Sequence, residues 1–289
     1  MLSLIIAASC SAALTLVLKI FRDPKGNRFG IILGNYLTCV LLAFVQMPEK
    51  GRIFDLHSST LIMSGIGGFL YVSGLVFTQT SVKRNGATLT SAFSKLGLIV
   101  PLFISFLFFD EIPSFLKICG VLLAIAAILL INFPSKTEKG EEKTPAKEKS
   151  SLVILLLTLF ACGCSESMAK IFARLGDQRE DTRYFFFLFL TAALLTFVLS
   201  VVETRKSGKT LRAAELGAGV LAGIPNYFSS YFLLQALLDL PAALVYPVFS
   251  VGSILLVAGG GMLFFRERLS RIQCMGFVLI LGALVLLNL

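Results

Sequence analysis

The stretch GIPNYFSSYFLLQALLDLPAALVYPVFSVGSILLVAGGGMLFFRERLSRIQCMGFVLILGALVLLN, residues 223–288, repeats an earlier part of the chain. Moved by 156 positions, it aligns without a gap on residues 67–132, and 17 of the 66 residues are identical. The identical pairs include the polar residues Tyr71/Tyr227, Gln79/Gln235 and Ser94/Ser250. A repeat of this length predicts a chain built from two related halves.

The composition is that of a protein embedded in a membrane. The 289 residues are 56% hydrophobic and 15% charged, with a mean hydropathy of +0.86, whereas about a quarter of the residues of a soluble protein are charged. The net charge of +9 is scattered over short connections, which argues against a nucleic-acid partner. The first apolar run has no basic segment before it and is interpreted as a retained helix, not a signal peptide.

Ten apolar runs of about 20 residues are each long enough to cross a hydrocarbon core of roughly 30 Å as a helix. The charged segment 134–150 predicts a flexible linker between two five-helix repeats, residues 1–133 and 151–289. An odd number of helices per repeat makes the halves cross in opposite directions. The expected fold is therefore all-α, an integral membrane protein of two inverted repeats, with a substrate site where they meet. The ten predicted spans are residues 2–22, 28–47, 58–80, 86–109, 114–133, 151–175, 183–203, 213–237, 241–265 and 270–288.

The end of each half carries a pattern that resembles a known family. FFRERLS (264–270), followed by a glycine-bearing last helix, is repeated in the first half as FFDEIPS (108–114). Together with the ten-helix arrangement, this pattern is similar to the EamA-type ten-helix carriers of the drug/metabolite transporter superfamily. The resemblance implies a secondary transporter in the cell membrane that is not driven by ATP, with a central cavity lined by the first four helices of each half. It also implies efflux more often than uptake. Glu111 and Glu267 are interpreted as structural residues at short turns.

Two charged residues lie deep inside predicted spans. Lys95 is ten residues into the fourth span, and Glu166 lies among small polar residues of the sixth. Because a charge near the bilayer centre costs at least ~2.5–3.5 kcal/mol, both are expected to border an aqueous cavity. Lys95 would bind an anionic group, and Glu166 an ammonium group or a proton that alternates with substrate. A small polar or zwitterionic metabolite, such as an amino acid, satisfies both. Lys19 and Lys170 lie nearer to helix ends, and an ion pair between Glu166 and Lys170 is a structural alternative.

Further polar residues in the spans are candidates for the cavity lining. Pro225-Asn226 is the predicted point at which a helix breaks, since proline frees a carbonyl group and asparagine supplies an amide. Ordinary hydrogen bonds between helices are the structural alternative for each of these residues. Together with Lys95 and Glu166, the predicted substrate-binding residues are Tyr71, Gln79, Ser94, Asn226, Tyr227, Gln235, Tyr246 and Ser250.

A second function remains open, a proton-coupled exporter of cationic drugs or quaternary amines. It rests on a resemblance to the small multidrug resistance exporters, in which a carboxylate of the first helix carries the proton and the cation. An intramembrane enzyme is not expected, because the acid pairs Asp110-Glu111 and Glu180-Asp181 lack the spacing for a shared metal.

No cofactor or metal is expected. The six cysteines lie in apolar runs, and the single histidine, His57, is interpreted as a solvated loop residue. The expected partners are a small-molecule substrate, the lipid bilayer and H⁺ as a coupling ion, and a homodimer is left open. The connections that follow the odd-numbered spans hold 17 basic residues, and those that follow the even-numbered spans hold 6. Since basic connections tend to lie in the cytoplasm, this count predicts that both termini lie outside. The resemblance instead implies termini in the cytoplasm.

Overall fold

The structure is a computed structural model that describes residues 1–21, 27, 29–48, 50–85, 87–109, 114–131, 151–208, 210–265 and 271–288. Within these ranges the chain forms α-helices joined by short connections, with 3-10 helices at Lys50–Arg52 and Gln178–Glu180. The predicted linker 134–150 and the turns that contain Glu111 and Glu267 lie outside the described residues. The α-helices are α1 (Leu2–Ile20), α2 (Gly30–Gln46), α3 (Ser58–Asn85), α4 (Ala87–Leu96), α5 (Ile99–Phe108), α6 (Phe115–Ile131), α7 (Leu152–Leu175), α8 (Asp181–Ser207), α9 (Ala213–Asp239), α10 (Ala242–Phe265) and α11 (Arg271–Asn288).

Each apolar run that predicts a span falls on a helix, and the fourth falls on two, α4 and α5. Among the described residues, five helices are long and apolar enough to cross a membrane, and three shorter apolar helices accompany them. The prediction of an all-helical membrane protein is therefore confirmed. The five long helices are Leu2–Ile20, Ser58–Val82, Leu152–Leu175, Gln178–Ser207 and Ala242–Leu263, and the shorter ones are Gly30–Gln46, Phe93–Phe108 and Phe115–Leu130.

The chain divides into two compact units, and each unit takes helices from both halves of the sequence. Unit 1 comprises Met1–Val72 and Met168–Asp239, and unit 2 comprises Ser73–Ser167 and Leu240–Leu289. This division follows contacts in space and does not test for duplication. The repeat boundaries therefore stay a prediction.

In unit 1, α2 and α9 approach each other along a seam of small residues. A Cβ atom added at Gly34 would lie 2.6 Å from the carbonyl oxygen of Leu216 and 3.1 Å from the Cα atom of Gly219. One at Gly223 would lie 2.5 Å from the Cβ atom of Thr38. Without a strong hydrophobic force between helices in lipid, such close backbone contact is a main source of their association.

Asn27, just before α2, joins three elements of unit 1. Its side-chain amide donates to the carbonyl oxygen and the hydroxyl of Ser200 (both 3.2 Å) and to the hydroxyl of Thr204 (3.1 Å), near the end of α8. Its backbone N–H donates to the carboxylate of Glu215 (2.9 Å), in the first turn of α9. Glu215 also accepts from the backbone N–H of Arg212, as the acidic residue of a capping box does. These bonds hold the start of α2, the end of α8 and the start of α9 together.

A second group of bonds joins the residue before α3 to the connection between α7 and α8. The carboxylate of Glu180 accepts from the backbone N–H of His57 (3.0 and 3.3 Å) and lies 3.0 Å from its Nδ1 atom. The histidine side chain is 69% exposed and that of Glu180 only 6%. His57 is therefore solvated, as predicted, but it also has a buried acidic partner.

In unit 2, α6 packs against α11 through small and branched residues. Ala124, Ala127, Val251 and Ala283 are fully buried at this contact, and Val251 brings α10 into the same core. At one end of the unit, the side chain of Asn85 accepts from the backbone N–H of Ser151 (2.9 Å) and donates to its carbonyl oxygen (3.4 Å). These two bonds join the end of α3 to the start of α7.

Candidate functional site

The candidate site lies in unit 2, where glycines let α7 approach its neighbours closely. A Cβ atom at Gly163 would lie 2.5 Å from the carbonyl oxygen of Gly97, and one at Gly74 would lie 3.6 Å from the backbone of Ala161 and Cys162. The middle of α7 is thus in contact with both α3 and the junction of α4 and α5. This contact brings the polar residues of three helices together.

The fourth predicted span is broken at Gly97–Leu98. Pro101 has no N–H to donate to the carbonyl oxygen of Gly97, one turn earlier. That oxygen instead accepts from Val100 (2.9 Å), in a tighter turn. The break places Lys95 in the last turn of α4, where the partial negative charge of the helix end favours a cation.

Cys162 lies between the hydroxyl groups of two other helices. Ser94 of α4 donates to its sulfur at 3.3 Å, and the Oγ1 atom of Thr78 of α3 lies 3.5 Å from the same sulfur. Cys162 and Glu166 are four residues apart, so they share a face of α7. The contacts of Cys162 therefore place Glu166 on the side of α7 that faces α3 and α4.

Lys95 and Glu166 lie close enough within this group for their charges to interact. In the described part of the chain they form no direct ion pair, so they attract each other at longer range. Both side chains are partly exposed. The hydroxyl of Tyr246, in α10, donates to the backbone carbonyl of Glu166 (2.9 Å) and holds this turn of α7 in place.

Two further predicted residues belong to unit 2. Gln79 follows Thr78 in α3, and its Oε1 atom is buried without a hydrogen-bond partner among the described residues. Since a buried acceptor without a partner costs about 1–3 kcal/mol, it is a candidate for a ligand or for water. Ser250 is buried in α10, and its carbonyl oxygen accepts from the hydroxyl of Ser253.

The other four predicted residues belong to unit 1. Three of them make hydrogen bonds to side chains outside α9, which is the structural alternative for these residues. Asn226 donates to Asn35 (2.9 Å), Tyr227 to Gln46 (2.9 Å) and Gln235 to Asp181 (3.1 Å). Tyr71 packs its ring edge to face on Phe189, with centroids 6.0 Å apart. A role of these residues in substrate binding stays a prediction.

The prediction of a break at Pro225-Asn226 is wrong. α9 runs without interruption from Ala213 to Asp239, with Pro225 inside it. One lost N–H is tolerated where neighbouring residues hold the helix in place. Cys39 of α2 donates its thiol to the carbonyl oxygen of Gly223 at 3.4 Å, two residues before the proline.

The sequence pointed to Ser94, Lys95 and Glu166 but not to Thr78 or Cys162 as their neighbours. The spacing Gly97-x-x-x-Pro101 was the available signal for the break in the fourth span. Glycine has a low helix propensity, and the proline four residues later removes the hydrogen bond to the glycine carbonyl. Lys170, which the sequence placed near a helix end, is fully buried.

Residues 1–133 match the EamA-like transporter family. An uncharacterized protein of Haemophilus influenzae (strain ATCC 51907 / DSM 11121 / KW20 / Rd) is 27% identical over 289 residues, which cover 98% of this chain and 96% of that protein. A chain from a solved crystal structure has a TM-score of 0.73 and 17% identity, over 99% of this chain and 94% of the other, and it supports the fold alone. Over residues 1–133 the chain is thus similar to the EamA-like transporters, and its apolar helices are those of a multi-pass protein of the cell membrane.

Proposed function

We propose that this protein is a secondary transporter of a small metabolite that carries both a positive and a negative charge, such as an amino acid. Lys95 binds the anionic group and Glu166 the ammonium group. The proposal is supported by the contacts of Cys162, which bring these two partly exposed charged residues of α4 and α7 to the same part of unit 2, with no ion pair between them in the described structure. A zwitterion that enters between them replaces one long-range attraction by two short ones.

The proposed architecture is two inverted five-helix repeats, and contacts within unit 1 support it. Asn27, which follows α1, bonds to Glu215 near one end of α2. His57, which comes after the other end of α2, bonds to Glu180, which follows α7. The C-termini of α1 and α7, the first helices of the two halves, therefore lie near opposite ends of α2. This is the arrangement that five helices per repeat predict.

Counterflow in proteoliposomes tests the proposal. Vesicles loaded with a mixture of amino acids should accumulate a labelled member of the mixture. We expect Lys95→Met and Glu166→Gln to lower this uptake at least tenfold while the purified protein keeps its wild-type elution on gel filtration. Lys19→Met is the matched control, since Lys19 is an exposed membrane lysine near the end of α1. Wild-type counterflow in both site variants would refute the assignment of the two charges.

We further propose that transport is outward and coupled to H⁺, with Glu166 as the group that alternates between proton and substrate. An imposed pH gradient, with the compartment that receives the substrate made acidic, should then drive substrate across the membrane against its concentration gradient. Glu166→Gln should lose this response. Equal transport with and without the gradient in the wild type would show an exchanger or a facilitator instead.

The alternative is an exporter of cationic drugs or quaternary amines, which requires a Glu166 that no protein cation occupies. The interaction with Lys95 weighs against it. The same vesicles, loaded with a quaternary amine, separate the two functions. Counterflow of the amine by the wild type, without counterflow of any amino acid, would favour the exporter of cations.

A further inference from the structure

Three side chains that commonly bind metal ions meet in unit 1, whereas Lys95 and Glu166 belong to unit 2. They are His57, Asp177 and Glu180. One ligand atom of each lies within 4.8 Å of those of the other two. The histidine precedes α3, and both acids come from the connection between α7 and α8. The group therefore joins two segments that are more than a hundred residues apart in the sequence.

Local hydrogen bonds orient the two acidic residues. The Oδ1 atom of Asp177 accepts from the backbone N–H of Arg179 (2.9 Å), which fixes the aspartate at the start of the 3-10 helix. The carboxylate of Glu180 accepts from the backbone N–H of His57 and contacts its ring. Each carboxylate has more acceptor positions than these bonds use. Both can therefore accept a cation and keep their bonds to backbone N–H groups.

Thr60 adds a further polar group to this cluster. It is fully buried in the first turn of α3, and its hydroxyl lies beside the carboxylate of Glu180. A hydroxyl in this position can donate to the carboxylate and help to orient it.

We propose that His57, Asp177 and Glu180 bind a divalent transition-metal ion, with Zn²⁺ as the best fit. Imidazole nitrogen together with carboxylate oxygens suits zinc, nickel or copper, whereas magnesium and calcium prefer oxygen alone. Two carboxylates and a neutral imidazole balance the charge of the ion. Three protein ligands leave one coordination position free for water. Solvent can reach this position because the side chain of His57 is largely exposed. The bound ion would clamp the start of α3 to the connection between α7 and α8.

The competing explanation is a latch of hydrogen bonds between His57 and Glu180 that binds no metal. A latch needs only these two residues. A metal site also needs Asp177, whose side chain forms no hydrogen bond to either of them among the described residues. The effect of changing Asp177 therefore separates the explanations.

The experiment uses the full-length chain, purified in detergent with an affinity tag that lacks histidine and treated with EDTA. The chain has a single histidine, so protein labelled with ¹⁵N-histidine gives the imidazole signals of His57 alone. We expect titration with Zn²⁺ to saturate at one ion per chain and to shift one ring nitrogen of His57. His57→Gln and Asp177→Asn should each weaken the binding at least tenfold. Asp55→Asn, at an exposed acid two residues before His57, should leave it unchanged.

Two results would overturn the proposal. One is the absence of saturable Zn²⁺ binding in the wild type. The other is binding that stays equally tight in Asp177→Asn and leaves the signals of His57 in place, because it would then involve the cysteine thiols instead. If His57→Gln does not fold, the spectrum of the wild type and the Asp177→Asn variant still decide the question.

Discussion

Gly219 and Gly217 lie two residues apart in α9 and should respond in opposite ways to the same substitution. A Cβ atom at Gly219 would collide with the carbonyl oxygen of Ile31 and lie 2.7 Å from the Cα atom of Gly34. Ordinary contact begins near 3.4 Å, so the contact with Gly34 alone requires the two backbones to separate by about 0.7 Å, and the collision with Ile31 requires more. A Cβ atom at Gly217 would meet nothing within 4 Å.

The expected cost of Gly219→Ala is about 1–3 kcal/mol, the range for an overpacked contact, because backbone atoms cannot rotate out of the way. Gly217→Ala should instead stabilise the protein by up to about 1 kcal/mol, since alanine has a higher helix propensity than glycine at an exposed position. At about 2–4 °C per kcal/mol, the unfolding midpoint of Gly219→Ala should lie several degrees below that of Gly217→Ala.

Thermal unfolding in detergent with a thiol-reactive dye measures this difference directly. Cys39 is fully buried and contacts α9 at Gly223, so its thiol becomes reactive when α2 and α9 separate. Equal midpoints for the two variants, or a lower midpoint for Gly217→Ala, would refute the inference that this seam limits stability.

Three other substitutions test single contacts. Asn27→Ala removes the amide that bonds to Ser200 and Thr204 and should lower stability by about 1–3 kcal/mol, measured as the same unfolding midpoint. Tyr246→Phe removes the hydrogen bond to the carbonyl oxygen of Glu166 and should cost about 0.5–1.5 kcal/mol, with more than half of the counterflow retained. Complete loss of counterflow would instead show that this hydroxyl binds substrate. Gln79→Leu should raise the KM for substrate about tenfold, equivalent to about 1.4 kcal/mol, at an unchanged midpoint, since its Oε1 atom has no partner to lose among the described residues. A lower midpoint with an unchanged KM would contradict that role.

The helices were predictable because hydropathy and length act locally. A run of about 20 apolar residues must form its backbone hydrogen bonds internally in lipid, whatever surrounds it. The observed bounds of α7, Leu152–Leu175, accordingly lie within one residue of the predicted span 151–175. The same local argument identified Lys95 and Glu166, since an ionised group inside an apolar run is costly in any fold.

The break in a helix was not predictable from proline alone. Pro101 and Pro225 both remove an N–H group, yet only the first accompanies an interruption. At Gly97 the backbone of α7 approaches closely, and the freed carbonyl finds a nearer donor in Val100. Around Pro225, the small-residue seam against α2 holds α9 in place.

The sequence by itself determined the membrane environment, the helices, the repeat and the two charges that lipid would not tolerate. The tertiary structure decided which side chains meet. It gave Asn226 a protein partner in Asn35, and it placed Cys162 between Thr78 and Ser94. It also brought His57 to Glu180. The physical reason is that hydropathy depends on a residue and its neighbours in the chain, whereas a hydrogen bond or an ion pair depends on the packing of helices that are distant in sequence.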